Sequence, residues 1–495
     1  MAPGHAVVIG GSIAGLTVAR ALSRHFAAVT VLERDHYPDG PAPRKGLPQA
    51  KFLHNLLPGG DEALESLFPG FRAKHVANGA VEFGSEELRW LTSQGWVARF
   101  TNDRRTTASS RDLVDFSLRQ MVATDPRITL RGGTEATGLA VDYEARAVIG
   151  VRVRGPVGPV GTIGTGGTGG TGGTVGTGGT GGTDEQILPA DLVVDAGGRG
   201  SRAHVWLTSL GYQVPAETRI DAGLVYASRV YRPRPGVRTD WKILVVSPRP
   251  DSPRYGAIFA IEGGRWMAAL GGVGGVVPPT DDNGYLDFAA GLRAPDVHDA
   301  LLQADPLTPV RRYRGTENRR RAWETMTRGP ENFVVVGDAA CAFNPEFGQG
   351  MSIAARTAVA IERDIATYLR RHRGPALTGL AARLQRSVAR TAAPAWDMAV
   401  GEDLKFATTV GGARSTVVRL GQWYGDRVGR AAADDPAVAE AFLRVVGLVD
   451  PPTALLRPSI MVRALSAGRG STAGASPAAA DLAPVSGGRL PVPEA

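Results

Sequence analysis

Hydrophobic runs and glycine turns alternate at the start of the chain. Residues 6–9 are a short run rich in β-branched residues, and residues 10–15 are a glycine-rich turn. Residues 16–26 carry apolar residues at helical spacing, and residues 29–32 form a second apolar run. Short β-branched runs predict buried strands, and a 3.6-residue spacing predicts a helix. The chain is therefore predicted to open with a β-α-β unit.

Short apolar runs separated by Gly and Pro turns dominate the middle of the chain. They lie at residues 223–230, 241–246, 256–261 and 265–270. Several short strands at this spacing predict a mostly antiparallel β-sheet.

The pattern becomes helical after a last apolar run at residues 333–336. Residues 351–371 are predicted to form a long helix, and the stretch to about residue 465 continues mostly helical. Residues 466–495 are rich in Ala, Ser, Gly and Pro, which predicts a flexible tail.

Repeated Gly-Gly-Thr units fill residues 155–183. Such a segment cannot bury enough apolar surface to offset its chain entropy, so it is predicted to be a disordered loop. It lies between a strand-like pattern at residues 147–153 and an apolar run at residues 187–194. We therefore expect the expanded tip of a hairpin.

Composition narrows the class of protein. The chain has 495 residues, 43% of them apolar, and no apolar run near the roughly 18 residues needed to cross a bilayer. We expect a cytoplasmic protein without an integral membrane segment. The single cysteine, Cys341, excludes an intrachain disulfide and a Cys-based zinc site, and no metal is expected. The net charge is +8, but the arginines are dispersed, so no nucleic-acid partner is expected.

The first glycine turn has the context of a dinucleotide-binding fingerprint. It follows a predicted strand, opens a predicted helix, and precedes an acidic residue, Glu33, at the end of the next strand. Gly10 would make the tight turn, and Gly15 would let the helix lie close to the sheet. The middle glycine of the fingerprint is replaced by Ser12, whose side chain stands where a pyrophosphate would approach.

Two further strand ends carry glycine-rich segments. The first is Asp195-Ala196-Gly197, and the second is Gly337-Asp338, followed by a glycine-rich stretch that leads into the long helix. Each would let the backbone approach a ligand closely. Three such strand ends predict one extended cofactor site.

These three segments resemble those of flavoprotein monooxygenases of the aromatic-hydroxylase type. Within that group, several other segments are similar to actinobacterial epoxidases that act on polyether-ionophore precursors, relatives of squalene epoxidase. Those segments are residues 44–49 with His54, 110–111, 221–226, 262–266, 318–320 and 342–345. The resemblance covers roughly residues 5–370.

The resemblance implies an α/β fold, α+β overall. A split Rossmann-like FAD-binding domain with a parallel sheet would be joined to a mostly antiparallel β-sheet substrate domain and a helical C-terminal region. The FAD-binding domain would comprise residues 1–72, 103–212 and 313–370. The substrate domain would comprise residues 73–102 and 213–312, and the helical region residues 371–465.

The resemblance also implies roles for individual residues. Those implied to hold the ADP half of FAD are Gly10, Gly11, Ser12, Ile13, Ala14, Gly15, Glu33 and Arg34. Those implied to contact the rest of FAD or the reductant are Arg111, Asp195, Gly197 and Asp338. Those implied to line the isoalloxazine are Pro345, Gly348, Gln349, Gly350 and Met351.

Two further sets of residues are expected near the flavin. Arg44 and Lys45 are expected to form a basic strip beside it, and with Pro345 they are the candidate contributors to catalysis. No acid/base side chain is required, because the chemistry is centred on the flavin. The aromatic residues expected to line the substrate pocket are Tyr226, Phe259 and Trp266.

The implied function is an FAD-dependent monooxygenase. Reduced flavin and O2 would form a C4a-hydroperoxide that inserts one oxygen atom into an apolar polyketide or terpenoid, by alkene epoxidation. NAD(P)H would supply electrons directly or through a separate flavin reductase. The alternatives are an aromatic-ring hydroxylase, a flavin-dependent reductase or halogenase of the same fold, and a non-enzymatic FAD-binding module.

Overall fold

The computed structural model describes residues 4–155, 185–372, 374 and 376–467. The strands in this part of the chain are β1 (His5–Ile9), β2 (Ala28–Leu32), β3 (Val81–Phe83), β4 (Leu88–Leu91), β5 (Thr106–Ala108), β6 (Ile128–Arg131), β7 (Glu135–Asp142), β8 (Ala147–Arg154), β9 (Gln186–Pro189), β10 (Leu192–Asp195), β11 (Glu217–Ile220), β12 (Val225–Pro233), β13 (Ile243–Val246), β14 (Arg254–Ile261), β15 (Arg265–Gly272), β16 (Ala304–Pro306), β17 (Arg311–Tyr313), β18 (Asn318–Arg321), β19 (Phe333–Val335) and β20 (Cys341–Ala342). The helices are α1 (Ile13–Ser23), α2 (Pro58–Leu67), α3 (Phe71–Ala77), α4 (Arg111–Val122), α5 (Ala203–Ser209), α6 (Asp282–Ala290), α7 (Asp296–Leu302), α8 (Gly350–Arg371), α9 (Leu380–Asp403), α10 (Thr416–Asp434), α11 (Pro436–Val446) and α12 (Pro458–Ser466).

A five-stranded parallel sheet forms the first core. Its strand order is β19-β10-β1-β2-β6, and the β1-α1-β2 unit predicted from the sequence lies at its centre. The strands are nearly continuous runs of buried β-branched residues, as expected for a parallel sheet covered on both faces. Helices α1 and α8 pack against each other in this core.

Two sequence boundaries in this region were wrong. Helix α1 begins at Ile13 rather than residue 16, because only residues 10–12 are needed to turn the chain, with Ser12 at the helix N-cap. The apolar run at residues 187–194 is two strands, β9 and β10, which belong to different sheets. Pro189 ends β9, since proline cannot donate to a sheet ladder.

A second sheet forms the other main layer. Its strand order is β16-β12-β15-β14-β13-β4, with β17 also paired to β12. All pairings are antiparallel except that of β13 with β4, which confirms the predicted mostly antiparallel sheet. Helices α6 and α7 cover one face of this sheet.

The remaining described elements include a β-meander of β7, β8 and β9, an antiparallel sheet of β11, β18 and β20, the strand pair β3 and β5, and the C-terminal helices. Strand β8 pairs with β9, which confirms the predicted hairpin. Helix α9 packs against the parallel sheet. There Gln385 Oε1 accepts the Val335 N–H at 2.9 Å, and Gln385 Nε2 donates to the Val335 carbonyl oxygen at 3.0 Å. Helices α10–α12 form a separate small core with Val97 and Phe100. The predicted helical C-terminal stretch and the predicted fold class are thus confirmed.

Some sequence predictions fall on residues that lie outside this description. They are the loop at residues 155–183, of which only Gly155 is described, and most of the tail at residues 466–495. Among the described helices, none combines the length and apolarity of a membrane-spanning segment. In the same residues, no group of three or more His, Cys, Asp or Glu is arranged to hold a metal ion.

Candidate functional site

The turn between β1 and α1 requires glycine at two positions. Gly10 has φ +100°, which favours glycine, and a Cβ there would lie 2.5 Å from the Ala196 carbonyl oxygen. A Cβ on Gly15 would lie 1.8 Å from the Gly10 carbonyl oxygen. The first turn of α1 contains no acidic residue, and the Ser12 side chain does not cap the helix. The N–H groups and positive dipole end of α1 therefore remain available to an anion.

The three glycine-rich strand ends meet, as the sequence predicted. Strand β10 lies beside β1 and β19 beside β10, so their carboxyl ends share one edge of the sheet. Gly337, with φ +60°, lies so close to α1 that a Cβ there would be 2.8 Å from the Ala14 Cβ. The structure therefore forms one continuous crevice edge from segments more than 300 residues apart in the chain.

A buried charge cluster lies beside the first turn. Arg44 pairs with Glu33 (Nη1–Oε2, 2.9 Å) and with Asp115 (Nη2–Oδ1, 2.7 Å). Asp115 also pairs with Arg119 at 3.1 Å. Burial alone lowers the pKa of Arg44, but the carboxylates of Asp115 and Glu33 outweigh it and raise that pKa. We define Glu33, Arg44, Asp115 and Arg119 as the charge cluster.

The charge cluster corrects the expectation for Arg44 and Lys45. Arg44 is buried; its Nη2 donates to Asp115 Oδ1 and to the Gly11 carbonyl oxygen, at 2.7 and 3.2 Å, and its Nη1 forms the ion pair with Glu33. Lys45 is exposed. The two residues therefore do not form a common basic strip, and Arg44 positions the glycine turn instead. Arg34 is likewise exposed.

Hydrogen bonds from neighbouring backbone N–H groups hold the Glu33 carboxylate. Its Oε2 accepts the Gly11 N–H at 3.0 Å and its Oε1 accepts the Asp35 N–H at 3.0 Å. Two carboxylate oxygens offer about four acceptor sites, so capacity for a further donor remains. Glu33 therefore fixes the turn and keeps room for a ligand hydroxyl.

Tyr37 explains why position 11 is also glycine. Its ring lies between Arg44 and Arg119, with guanidinium-to-centroid distances of 5.2 and 5.5 Å. Its hydroxyl is only 1.8 Å from where a Gly11 Cβ would stand. That hydroxyl is buried without a hydrogen-bond partner in the described residues.

Arg111 lies at the centre of the crevice. Its Nη2 donates to the Ser12 hydroxyl at 2.9 Å, while its Nε is buried without a hydrogen-bond partner in the part of the chain described. Burial lowers the pKa of Arg111, opposed by the nearby charges of Asp115 and Asp338. The substitution of glycine by Ser12 thus gives Arg111 an anchor at the turn.

His54 is a neutral neighbour of Arg111. Its Nδ1 lies 3.0 Å from the Phe52 carbonyl oxygen, so Nδ1 carries the proton that is donated there. Burial, followed by the Arg111 charge, lowers the pKa of His54 to about 3. The imidazole is therefore uncharged near neutral pH.

The loop between β20 and α8 is held by a buried polar network. Asn344 Nδ2 and Asn318 Nδ2 donate to the two carboxylate oxygens of Asp403, at 2.9 and 2.6 Å. The Asn344 N–H donates to Asn318 Oδ1 at 2.7 Å. Burial raises the pKa of Asp403 to about 7, against the two amide hydrogen bonds. We call residues 344–351 the helix-entry loop.

The helix-entry loop contains the residues predicted to line the isoalloxazine. Pro345 begins a 3-10 turn, and Gly348 reverses the chain with φ +62°. Gln349 is the N-cap residue of α8, and its Oε1 is buried without a partner in the described chain. A Cβ on Gly350 would contact Asp338 at 3.6 Å, and Met351 is buried beneath the loop. The loop and the Asp338 segment therefore adjoin.

Asp195 is used within its own turn. Its Oδ1 accepts the Gly197 N–H at 2.7 Å, and its Oδ2 accepts the Ser201 hydroxyl. Burial raises its pKa, opposed by these hydrogen bonds. Asp195 shapes the loop that meets Gly10, and the Gly197 backbone lies at the crevice edge. Asp338, by contrast, has no hydrogen bond to its carboxylate from the residues described.

The three predicted pocket aromatics do not share a face. Tyr226 and Phe259 lie on the face of the second sheet opposite α6 and α7. Trp266 pairs with Ala260, points to the helix-covered face, and packs against Trp241 with centroids 5.1 Å apart. Trp266 is therefore a core residue and not a pocket residue. We call the Tyr226 and Phe259 side of the sheet the inner face.

An arginine-rich cavity of about 240 Å³ lies behind Asp338. Its basic lining residues are Arg199, His204, Arg219, Arg319, Arg320 and Arg321. All five of these arginines also pair with Glu217, Glu317 or Glu324. Nearby, Cys341 is buried, and burial raises its pKa to about 12. That thiol is therefore un-ionised near neutral pH.

Sequence reasoning missed Tyr37, Asp115 and Glu346 and gave His54 no role. One signal was present: Arg111, Asp115 and Arg119 fall four residues apart, which places them on one helix face. Glu346 lies directly after Pro345, which was singled out, yet nothing local marks a carboxyl group as lacking a partner.

Solved flavoproteins share this fold. The flavoprotein/dehydrogenase from Cytophaga hutchinsonii superposes with TM-score 0.62 at 13% identity, covering 94% of this chain and 98% of that one. The myxobacterial chondrochloren halogenase CndH, a variant of FAD-dependent halogenases, gives 0.59 at 16%, covering 93% and 98%. The probable FAD-dependent monooxygenase pqsL from Pseudomonas aeruginosa gives 0.56 at 16%, covering 81% and 98%. The chain thus has the fold of FAD-dependent halogenases and monooxygenases.

A sequence relative defines the family. The chain is 33% identical over 460 residues to Protein Rv3254 of Mycobacterium tuberculosis (strain ATCC 25618 / H37Rv), covering 90% of each chain. The chain belongs to the family of that protein. No protein-family model matches it.

Proposed function

We propose that this chain is an FAD-dependent monooxygenase that epoxidises an alkene in an apolar polyketide or terpenoid. The observation that carries the proposal is the meeting of the Gly10, Ala196 and Gly337 strand ends beside a free helix N-terminus. The similarity of its fold to FAD-dependent enzymes supports the same conclusion.

The residues present fit FAD. Gly10 and Gly15 leave room for a backbone-bound pyrophosphate, and Arg111 Nε offers an unpartnered donor beside Ser12. Glu33 would accept a ribose hydroxyl, and Asp338 would accept hydroxyls of the ribityl chain. Pro345 through Met351 would line the ring, with the N-terminus of α8 directed at it.

The bound flavin would supply the redox chemistry that activates O2. The chain's own contribution is then positioning and exclusion of water. Tyr226 and Phe259 on the inner face are buried and would enclose an apolar substrate. We further propose that residues 73–102 and 213–312 form the substrate domain, and that the parallel-sheet unit binds FAD.

NAD(P)H is the proposed electron source. The arginine-rich cavity beside Asp338 supports direct binding of its phosphates, since guanidinium groups bind phosphate well. Supply through a separate flavin reductase is the alternative. Anaerobic mixing of the protein with NADPH alone separates the two, because only direct reduction bleaches the flavin without a partner.

A halogenase is the second candidate, because CndH has the same fold. Against it, the sequence has no Trp-x-Trp-x-Ile-Pro segment of the halogenase type. A hydroxylase of aromatic rings would use the same crevice. Product analysis with and without bromide, on polyenes and on phenols, distinguishes these outcomes.

The first test is an absorption spectrum of the purified protein, followed by anaerobic reduction and rapid mixing with O2. We expect flavin bands and a transient absorbing species before reoxidation. Reoxidation without a transient would favour a reductase, and absence of flavin from protein supplied with FAD would contradict the proposed cofactor.

A further inference from the structure

Large apolar side chains are exposed on the C-terminal helices. Helix α10 begins at Thr416, and its first two turns expose three of them. The 3-10 turn Pro452–Leu456, which precedes α12, exposes one more. Exposed apolar residues that occur singly are normal on protein surfaces, but a group of them marks a contact surface. The exposed fractions of the side chains are Val417 80%, Leu420 64%, Trp423 47% and Leu456 52%.

These side chains lie on one side of α10. Val417 and Trp423 are each three residues from Leu420, which makes them its neighbours on the helix surface. Tyr424 lies one turn after Leu420, and its hydroxyl donates to the Leu455 carbonyl oxygen at 2.6 Å. Leu456 follows Leu455 directly, so it adjoins the side of α10 that carries Leu420. We define Val417, Leu420, Trp423 and Leu456 as the apolar face.

The rest of α10 is firmly held. Val428 and Ala432 lie in the small core that α10 shares with α11 and α12. Gln422 Nε2 donates to the Gly401 carbonyl oxygen at 2.6 Å. Lys405 Nζ pairs with Asp426 Oδ1 at 2.8 Å. The helix is therefore fixed in place, while the described part of the chain leaves its apolar face largely exposed.

Arginines accompany the apolar face. Those in α10 or just before it, none of which forms an ion pair with a described residue, are Arg414, Arg419, Arg427 and Arg430. The Arg427 guanidinium carbon lies 4.5 Å from the centroid of the Trp423 ring. The acidic residues of α10 are Asp426, which pairs with Lys405, and Asp434 at the far end of the helix. The exposed surface of α10 is therefore both apolar and cationic.

We propose that the apolar face docks the protein onto the surface of a lipid bilayer that contains anionic phospholipids. Leucine, valine and tryptophan side chains insert at the boundary between headgroups and acyl chains, and arginines beside them attract anionic headgroups. The charge disfavours a second copy of this chain, because a twofold contact would place the same arginines opposite one another. This inference does not depend on the proposed function.

The test is co-sedimentation of the full-length protein with vesicles of phosphatidylcholine, with and without phosphatidylglycerol. Wild type is expected to bind the anionic vesicles roughly tenfold more tightly or better, because several arginines contribute. Leu420→Gln should weaken binding to the anionic vesicles roughly tenfold through lost apolar burial. Arg419→Gln should weaken it roughly fivefold and leave binding to the neutral vesicles unchanged. The matched control is Leu302→Gln, at an exposed leucine of α7, which should change nothing.

A second measurement reports which residue enters the bilayer. Lipids brominated in their acyl chains should quench part of the tryptophan fluorescence of wild type, and Trp423→Phe should lose that quenching while it still binds vesicles. Sedimentation with neither kind of vesicle, equal binding by wild type and Leu420→Gln, or quenching that persists in Trp423→Phe would overturn the proposal. Self-association without vesicle binding would also overturn it and would identify a second copy as the occupant. Neither measurement uses the flavin, so failure of the cofactor assignment is read separately, from the absorption spectrum.

Discussion

The two sides of the crevice satisfy their polar groups differently. At the first turn, Glu33, Arg44, Asp115 and Arg119 bind one another and the Gly11 backbone. At the helix-entry loop, the backbone is held just as firmly, but Gln349 Oε1 and the Glu346 carboxyl group have no partner in the described residues. The first side is thus held mainly by ion pairs, although the Tyr37 hydroxyl and Arg111 Nε also lack a hydrogen-bond partner in the described residues.

The difference indicates that the first turn supplies a fixed geometry, whereas the helix-entry loop supplies polar groups for contacts with a ligand. A buried ion-pair cluster gives the first turn a fixed geometry before any cofactor arrives, which reduces the ordering cost of binding. A buried unpartnered atom such as Gln349 Oε1 costs stability in the free protein, and we infer that it is left for a ligand contact. The following predictions test that comparison.

The largest effect is expected at Gly15. Gly15→Val would place side-chain atoms against the Gly10 carbonyl oxygen, where even a Cβ stands at 1.8 Å. We expect loss of folded, flavin-containing protein, measured by flavin content and circular dichroism. The control is Gly421→Ala on exposed α10, where a Cβ meets nothing and helix propensity should add about 0.5–1 kcal/mol. Full flavin content in Gly15→Val would contradict the assigned turn.

Breaking the charge cluster is the next largest change. Arg44→Met leaves the buried carboxylates of Glu33 and Asp115 without their shared cation. We expect a loss of about 3–5 kcal/mol in the free energy of unfolding, by urea titration. Lys45→Met, at the exposed neighbour, should lose under about 0.5 kcal/mol. Equal losses for the two variants would show that the cluster does not stabilise the turn.

His54 predicts a pH dependence of stability. Its pKa is lowered to about 3 in the folded protein, so between pH 6.5 and 3 the unfolded state binds more protons. Its contribution is complete above pH 6.5 and is lost as the pH falls, by about 2 kcal/mol at pH 5. His54→Gln should flatten this part of the stability curve, and His36→Gln, at an exposed histidine, should not. Identical curves for wild type and His54→Gln would refute the buried neutral imidazole.

The smallest effect is expected at the connection between β8 and β9. Arg154 ends β8, and β9 begins one residue after Glu185, with Val153 opposite Gln186. Replacing residues 156–184 with a two-residue turn should preserve flavin content and raise stability by about 1–2 kcal/mol, because loop closure costs less entropy. Loss of flavin would show that one side of the crevice depends on this segment.

The sequence predicted what depends on neighbouring residues. The succession of a strand, the Gly10–Gly15 turn and a helix depends only on local sequence. The turn at Gly337 could likewise be predicted from the residues around it. The sheet face on which a side chain lies, and the residue that it contacts, were harder to predict. The wrong placement of Trp266 could have been avoided. The tight Glu262–Gly264 turn pairs Ala260 with Trp266, so the Trp266 side chain lies on the sheet face opposite that of Phe259.

The charge cluster and the unpartnered Glu346 could not be predicted in the same way. Arg44 meets Asp115 across 71 residues, and Asn344 meets Asp403 across 59. Whether a carboxyl group has a partner depends on what folding brings to it from such distances. Only the four-residue spacing of Asp115 and Arg119 within α4 allowed part of the cluster to be predicted from the sequence.

The buried, un-ionised state of Cys341 has a practical consequence. Maleimides and other thiol labels react with the thiolate, so the native protein should remain unlabelled near neutral pH. A cysteine introduced at an exposed site, such as Glu144→Cys, would then carry the only dye or spin label on the chain. Fluorescence or electron-paramagnetic-resonance measurements could follow domain movements during turnover without removing the natural thiol.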